Sequence, residues 1–219
     1  AGKPLTEGPR MAAAATALIG VDWGTTNLRA YRLAADGTLL ETRLAASGLM
    51  NVAAGGFAGA LIEAIGDWTA DGAVPILLSG MVGARQGWVE APYVTAPAGL
   101  EEIAAALVSV PDAPSGLDVR IVPGVIWKAA VPDVMRGEET QILGLDEDAL
   151  SGPICLPGTH AKWVAVEDGR IVRFATFMTG EVHGLMRQHS ILARTMPDGM
   201  EPSHAPIAFA NGVARSAEP

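Results

Sequence analysis

Asp22-Trp23-Gly24-Thr25-Thr26-Asn27-Leu28-Arg29 is the stretch on which the reading of this chain turns. It joins two short apolar runs, Leu18–Val21 and Leu28–Leu33, through a tight turn, so both runs read as strands. Glycine lets the backbone come close to an anion, and threonine hydroxyls and amides donate to phosphate oxygens. Asp22, at a strand end, suits a magnesium ion beside such phosphates. A plain hairpin, with Asp22 and Asn27 satisfying the turn's own backbone, is the competing reading.

Working outward, Asp36-Gly37 is a strong hairpin signal and makes Thr38–Leu44 a third strand. Phe57, Leu61, Ile65 and Trp68 recur at helical spacing, which predicts an amphipathic helix over 57–69. A buried strand over Val74–Leu78 follows, then a helix marked by Leu100, Ile103 and Leu107. Val119–Val122 is a strand ended by Pro123-Gly124. A third helix runs from Glu138 to Leu145, with Glu138 and Glu139 in the first turn, where the helix dipole favours carboxylates. The predicted order is strand-strand-strand-helix-strand-helix-strand-helix.

The same opening then recurs. Ile154–Leu156 is a strand, Pro157-Gly158-Thr159-His160-Ala161-Lys162 a second turn, and Trp163–Val166 a strand. Asp168-Gly169 is a second hairpin signal, Ile171–Phe177 a third strand, and Val182, Leu185, Met186 and His189 mark one face of a helix. Gly24-Thr25 corresponds to Gly158-Thr159 and Asp36-Gly37 to Asp168-Gly169. Two copies of one supersecondary unit predict an α/β protein of duplicated βββαβαβα units with a cleft between the halves. The second unit is expected to be incomplete, since a Pro-, Gly- and Asp-rich stretch at Met196–Pro202 and a short Ala-rich segment follow its first helix. The expected division is an extension over 1–16, a first domain over 17–150 and the opening part of a second over 151–219. Two such turns, one from each half, would clamp a polyphosphate from both sides.

Composition sets the limits. Glycine and proline, 26 and 15 of 219 residues, stay below the share of about 25–30% that marks low complexity, so wholesale disorder is excluded. The single cysteine, Cys155, excludes an intramolecular disulfide framework and suits a reducing cytoplasm. A net charge of −9 argues against nucleic acid or an anionic membrane as the main partner. The apolar run from Met11 to Val21 is far short of the roughly 20 residues that span a bilayer. Lysine occurs only at Lys3, Lys128 and Lys162, so general cationic roles fall to arginine. The sequence carries no clear oligomerisation signal, and a homo-oligomer is compatible with it.

The segment VDWGTTNLRAYR resembles the first phosphate loop of the actin, hexokinase and Hsp70 ATPase superfamily. In this order, SGMVGARQGW, APYVTAPAG, VMRGEETQILG, LPGTHAKWV and FMTGEVHGLM resemble blocks of the 2-dehydro-3-deoxygalactonokinase family. The resemblance runs from about Ile19 to Arg215. It implies an actin-like (ribonuclease H-like) fold, and it implies phosphorylation of 2-dehydro-3-deoxy-D-galactonate at its 6-hydroxyl in galactonate breakdown, with ATP and Mg2+. Family members continue beyond Pro219, and the further region resembles the part of the superfamily that grips adenosine. The adenosine-binding residues are therefore expected outside this sequence. Another sugar or sugar-acid kinase of the same fold, and a non-catalytic nucleotide-binding module, remain as alternatives.

Phosphoryl transfer asks for positioning, charge neutralisation and a carboxylate that takes the acceptor proton. Under this resemblance Gly24, Thr25, Thr26 and Asn27 of the first loop, with Gly158, Thr159, His160 and Lys162 of the second, would bind phosphates. Asp22 would hold the metal. Glu139, or its neighbour Glu138, would take the proton; the superfamily's hexokinase-like kinases carry aspartate at that helix start, and the paired glutamates are similar to those of exopolyphosphatases. The acceptor is a carboxylate, and the planar arginine fork suits it. Arg85, within Ser79-Gly80-Met81-Val82-Gly83-Ala84-Arg85, and Arg136 are its candidate partners. Ser79, Gly80 and Met81 are read as backbone that bends around the acceptor. Trp88 and Tyr93 fit either a sugar pocket or the core.

Overall fold

A computed structural model describes residues 15–69, 74–146, 150–195 and 206–216. The first three strands, β1 (Leu18–Trp23), β2 (Leu28–Leu33) and β3 (Leu39–Ala45), form an antiparallel meander. In β1 the alternation is clean: Ile19, Val21 and Trp23 are buried, while Leu18, Gly20 and Asp22 face the other side and are only half-buried. Helix α1 (Phe57–Ile65) buries Phe57, Leu61 and Ile65, one residue per turn on a single stripe. It carries the chain to β4 (Ile76–Ser79), which pairs parallel to β1.

The predicted helix over 57–69 ends its α-geometry earlier. Gly66 stands at the C-cap, and Gly66–Thr69 tightens into a 3-10 turn. That turn swings Trp68 into the core, where its Nε1 donates to Glu41 Oε2 at 3.1 Å. Arg43 lies over the Trp68 ring at 4.3 Å and binds both oxygens of Asp67.

Beyond β4 come β5 (Tyr93–Thr95), α2 (Leu100–Ala105), β6 (Val108–Ser109), β7 (Val119–Ile121), β8 (Gly124–Trp127), β9 (Asp133–Met135) and α3 (Glu138–Leu143). The main sheet has the order β3-β2-β1-β4-β7-β6, with β7 parallel to β4 and β6 antiparallel at the edge. β5, β8 and β9 make a separate three-stranded sheet. Those three strands are not marked by the sequence pattern, because each has three or four residues and prolines flank them. The second meander is β10 (Gly152–Leu156), β11 (Ala161–Glu167) and β12 (Arg170–Phe177), where the recurrence of the opening predicts it.

Two apolar clusters fill this body. One gathers Ile19, Val21, Trp23, Phe57, Leu61 and Ile76 between α1 and the main sheet, with Trp23, Phe57 and Trp88 in mutual ring contact. The other joins Val125, Met135, Ile142, Val164, Ile171 and Phe174. Residues up to Leu156 together with Lys162–Phe177 form one compact unit, and Pro157–Ala161 with the residues from Met178 onward form another. Within the second unit, α4 (Thr179–His189) and α5 (Pro206–Ser216) have no buried residue. Val182, Leu185 and Met186, expected on one face of α4, are thus solvent-exposed. Residues 1–14 of the expected extension and the Pro-rich stretch from Met196 lie outside the described residues. Among the described residues, no helix is long and apolar enough to cross a membrane.

Candidate functional site

Pleating turns Asp22 away from buried Val21 and Trp23, toward the opposite side of the sheet. Its neighbours in register are Arg29 on β2 and Ser79 on β4. The Asp22 carboxylate is about one-third exposed, with Arg29 Nη1 3.5 Å from Oδ2. The Gly24–Asn27 turn follows. It closes on itself through Gly24 N–H to Asn27 O at 2.9 Å and is backed by a second segment. The amides of Gly48, Leu49 and Met50 donate to the carbonyls of Thr26, Gly24 and Thr25. With those carbonyls engaged from behind, Thr25, Thr26 and Asn27 are exposed.

Gly48 is a position the sequence did not flag. A Cβ there would stand 2.0 Å from the Thr26 carbonyl carbon, so only glycine permits the approach. Gly80 and Gly137 play a similar part at the other two elements of the site. Gly80 has φ +94, and a Cβ on it would lie 2.9 Å from Trp23 O and 3.4 Å from Asp22 Oδ1. Gly137 has φ +110, and a Cβ there would lie 3.2 Å from Gly80 Cα. The ends of β1 and β4 and the start of α3 therefore converge because two glycines let the backbones meet.

That convergence borders a cavity of about 620 Å³, walled by Asp22, Ser79, Gly137 and Thr140 at one end and by apolar residues such as Leu33 and Leu77 at the other. Gly80, Met81, Arg85 and Arg136 do not line it. Arg85 is exposed on the segment after the Met81–Gly83 turn. Arg136 is turned inward: its Nη2 donates to Ala91 O at 2.7 Å and its guanidinium lies 4.3 Å from the Tyr93 ring centre. Its Nε and Nη1 are buried without a partner among the described residues. Trp88 stacks on Phe57 and donates to Asp112, so it belongs to the core.

The two glutamates at the start of α3 occupy different environments. Glu138 accepts a hydrogen bond from Arg136 N–H at 3.0 Å, and its Oε1 lies 3.9 Å from Lys162 Nζ. Glu139 is fully buried. Both of its oxygens accept from Gly137 N–H, at 2.9 and 2.7 Å, and Oε1 also accepts from the Thr140 hydroxyl at 3.2 Å. Burial nevertheless pushes the Glu139 carboxyl up to about 7, with the neighbouring charge of Glu138 adding to the rise and the hydrogen bonds opposing it.

Lys162 lies in β11 rather than in the turn before it, and its side chain is buried. The ammonium donates to Thr176 Oγ1 at 2.7 Å, and Thr176 in turn gives its N–H and hydroxyl to the two oxygens of Asp133, each at 2.7 Å. A buried ammonium needs such partners, and these join it to β12, β9 and α3. Gly158, Thr159 and His160 belong to the second compact unit, where they are exposed. There the carbonyls of Gly158 and Thr159 accept from the amides of Gly180 and Glu181, and His160 Nε2 pairs with Glu181. Among the described residues, no group of three or more His, Cys, Asp or Glu side chains could hold a metal ion.

Residues 22–219 match the 2-keto-3-deoxy-galactonokinase family. The chain is 40% identical over 201 residues to a probable 2-dehydro-3-deoxygalactonokinase of Rhizobium meliloti, covering 90% of this chain and 65% of that one. It is 37% identical over 198 residues to the 2-dehydro-3-deoxygalactonokinase of Escherichia coli, covering 90% of this chain and 64% of the relative. A solved structure of a candidate 2-dehydro-3-deoxygalactonokinase from Sinorhizobium meliloti superposes with a TM-score of 0.79 at 40% identity, covering 91% of this chain and 66% of that one. The chain thus spans a little under two thirds of the length of the curated relatives it matches. On this match, which begins at the Asp22 of the first loop, the chain belongs to the 2-keto-3-deoxy-galactonokinase family.

Proposed function

We propose that the protein transfers the γ-phosphoryl group of ATP to the 6-hydroxyl of 2-dehydro-3-deoxy-D-galactonate. The observation that carries this is the meeting of Asp22, Ser79 and the start of α3 at one cavity beside the exposed Gly24–Asn27 turn. Phosphoryl transfer needs such an arrangement: donors for phosphate oxygens, an acid for a metal, and a carboxylate for the acceptor proton. The names of the curated relatives support the choice of acceptor.

Gly24, Thr25, Thr26 and Asn27 would hold phosphate oxygens, and Gly158, Thr159 and His160 of the second turn are read as phosphate-binding residues of their own unit. Lys162, held in its buried network, would place positive charge beside Glu138 and the start of α3. Glu139 or Glu138 would receive the acceptor proton. Arg85 and Arg136, neither of which lines that cavity, would serve the acceptor carboxylate outside it, with Ser79, Gly80 and Met81 shaping the turn around it. Asp22 offers a single, partly exposed carboxylate of hard oxygens, which fits magnesium, an ion held by one or two carboxylates with waters and phosphates completing its shell. When bound, magnesium would offset negative charge on the nucleotide phosphates.

The sheet order, an antiparallel meander followed by two parallel strands, supports an actin-like fold. The second meander β10–β12, followed by α4, supports duplication of the unit; the repeat would begin near residue 150, although nearly all of that meander groups with the first compact unit. We also place the protein in the cytoplasm, which its lone cysteine and its acidic charge support.

The test is ATP consumption by the intact gene product carrying these 219 residues, with a panel of acceptors. Turnover with 2-dehydro-3-deoxygalactonate, well above that with glucose or gluconate, is the expected result. Turnover with glucose or gluconate but not the keto acid would overturn the substrate assignment.

A further inference from the structure

Two hydroxyls on the cavity wall stand in line with the buried carboxylate. Ser79 ends β4 and Thr140 stands in the first turn of α3, 61 residues apart, yet their Oγ atoms are 2.8 Å from each other. The Thr140 hydroxyl donates to Glu139 Oε1 at 3.2 Å. A hydroxyl has one proton to give, so in that arrangement Ser79 is the donor to Thr140. The result is an ordered row: Ser79 to Thr140 to Glu139. Ser79 and Thr140 line the cavity, whereas Glu139 is fully buried and does not. A plain helix-capping role does not account for the row. The Glu139 carboxylate already caps the helix start through Gly137 N–H, and the Ser79 contact reaches across to another element.

We propose that Ser79 and Thr140 form the proton path that connects Glu139 to the acceptor hydroxyl. The proposal rests on the kinase reading above. As the acceptor oxygen forms its bond to the γ-phosphorus, the bond from that phosphorus to the bridging oxygen breaks and ADP leaves with the electron pair. The acceptor proton passes to Ser79 Oγ, the Ser79 proton to Thr140 Oγ1, and the Thr140 proton to the Glu139 carboxylate. Each hydroxyl ends the step with one proton, as it began. Thr140 and Glu139 are then positioning residues, and Ser79 is the group that meets the substrate.

A carboxyl whose proton affinity lies near neutrality is well matched to such a task. The charged groups nearest it are Glu138 on the same turn and Lys162 from β11 beside Glu138, while Asp22 and Arg29 line the cavity that Glu139 itself does not reach.

The test compares Thr140→Val, Thr140→Ser and wild type in the intact gene product, with Mg-ATP and 2-dehydro-3-deoxygalactonate. Thr140→Val is expected to lower kcat by about 100-fold or more, with both KM values within about threefold of wild type. Thr140→Ser keeps the hydroxyl and should recover kcat to within about tenfold of wild type. Thermal unfolding confirms that each variant folds. An infrared titration of the Glu139 carboxyl, assigned by its loss in Glu139→Gln, reads the same contact without turnover. Thr140→Val removes a donor to the carboxylate and should move that midpoint upward.

Thr140→Val with kcat within about threefold of wild type, Thr140→Ser as slow as Thr140→Val, or an unmoved Glu139 midpoint would each overturn the path. A wild-type protein that does not phosphorylate the keto acid, with the infrared shift present, overturns the kinase reading and the path resting on it, while the hydroxyl contact stands.

Discussion

Replacing Glu139 by glutamine should change how stability depends on pH, by an amount the structure sets. The carboxyl is fully buried, and burial raises it from its ordinary 4.5 to about 7. It binds its proton more tightly in the folded chain than in the unfolded one. The associated stability is complete below about 4.5 and is lost as the pH rises through about 7. A rise of this size corresponds to about 3 kcal/mol. Glutamine keeps an oxygen that can accept from Gly137 N–H and never ionises. The stability of Glu139→Gln minus that of wild type should therefore grow by about 3 kcal/mol between pH 4.5 and pH 8. Other titrating groups are common to both proteins and drop out of the difference. Urea unfolding followed by tryptophan fluorescence measures it, since Trp23, Trp68 and Trp88 all lie in or against the first apolar cluster. A difference that stays flat, within about 0.5 kcal/mol across that range, would refute the claim that burial raises the proton affinity of Glu139.

Gly48→Ala should cost about 2–4 kcal/mol and loosen the first loop, because its Cβ would fall 2.0 Å from the Thr26 carbonyl carbon; unaltered unfolding and nucleotide affinity would show that the loop is not held from behind. Asp22→Asn should leave unfolding unchanged within about 0.5 kcal/mol while abolishing the magnesium dependence of nucleotide binding in calorimetric titration, and a retained dependence would remove Asp22 as the metal residue. Asp133→Ala takes the acceptor from both the N–H and the hydroxyl of Thr176. It should destabilise the chain by about 2–3 kcal/mol, and a loss below about 0.5 kcal/mol would mean that the Lys162–Thr176–Asp133 network does not hold the second cluster together.

The first meander could be read from the sequence because its signals are local. Alternation in β1, the Asp36-Gly37 turn and the stripe Phe57, Leu61 and Ile65 each act within a few residues. β5, β8 and β9 escaped because strands of three or four residues show too little alternation to register. At the site, Asp22, Glu138 and Glu139 were visible as residue types, but their differing environments were not. Burial of Glu139 depends on how α3 seats against the sheet, and the Ser79–Thr140 contact spans 61 residues. Gly48 escaped for the same reason, since its close approach to Thr26 exists only once the two segments pack. Lys162 was expected in a turn because glycine and proline precede it. Strand β11 starts one residue before it and carries its ammonium into the interior.

The claim that this chain builds a sugar-acid kinase is tested most directly by following a labelled γ-phosphate from ATP. The intact gene product carrying these residues is incubated with Mg-ATP and 2-dehydro-3-deoxygalactonate, and the products are separated. The account predicts that the label appears on the 6-hydroxyl of the keto acid, with one ADP formed for each phosphate transferred. Label found only in inorganic phosphate, or retained in ATP, would contradict it.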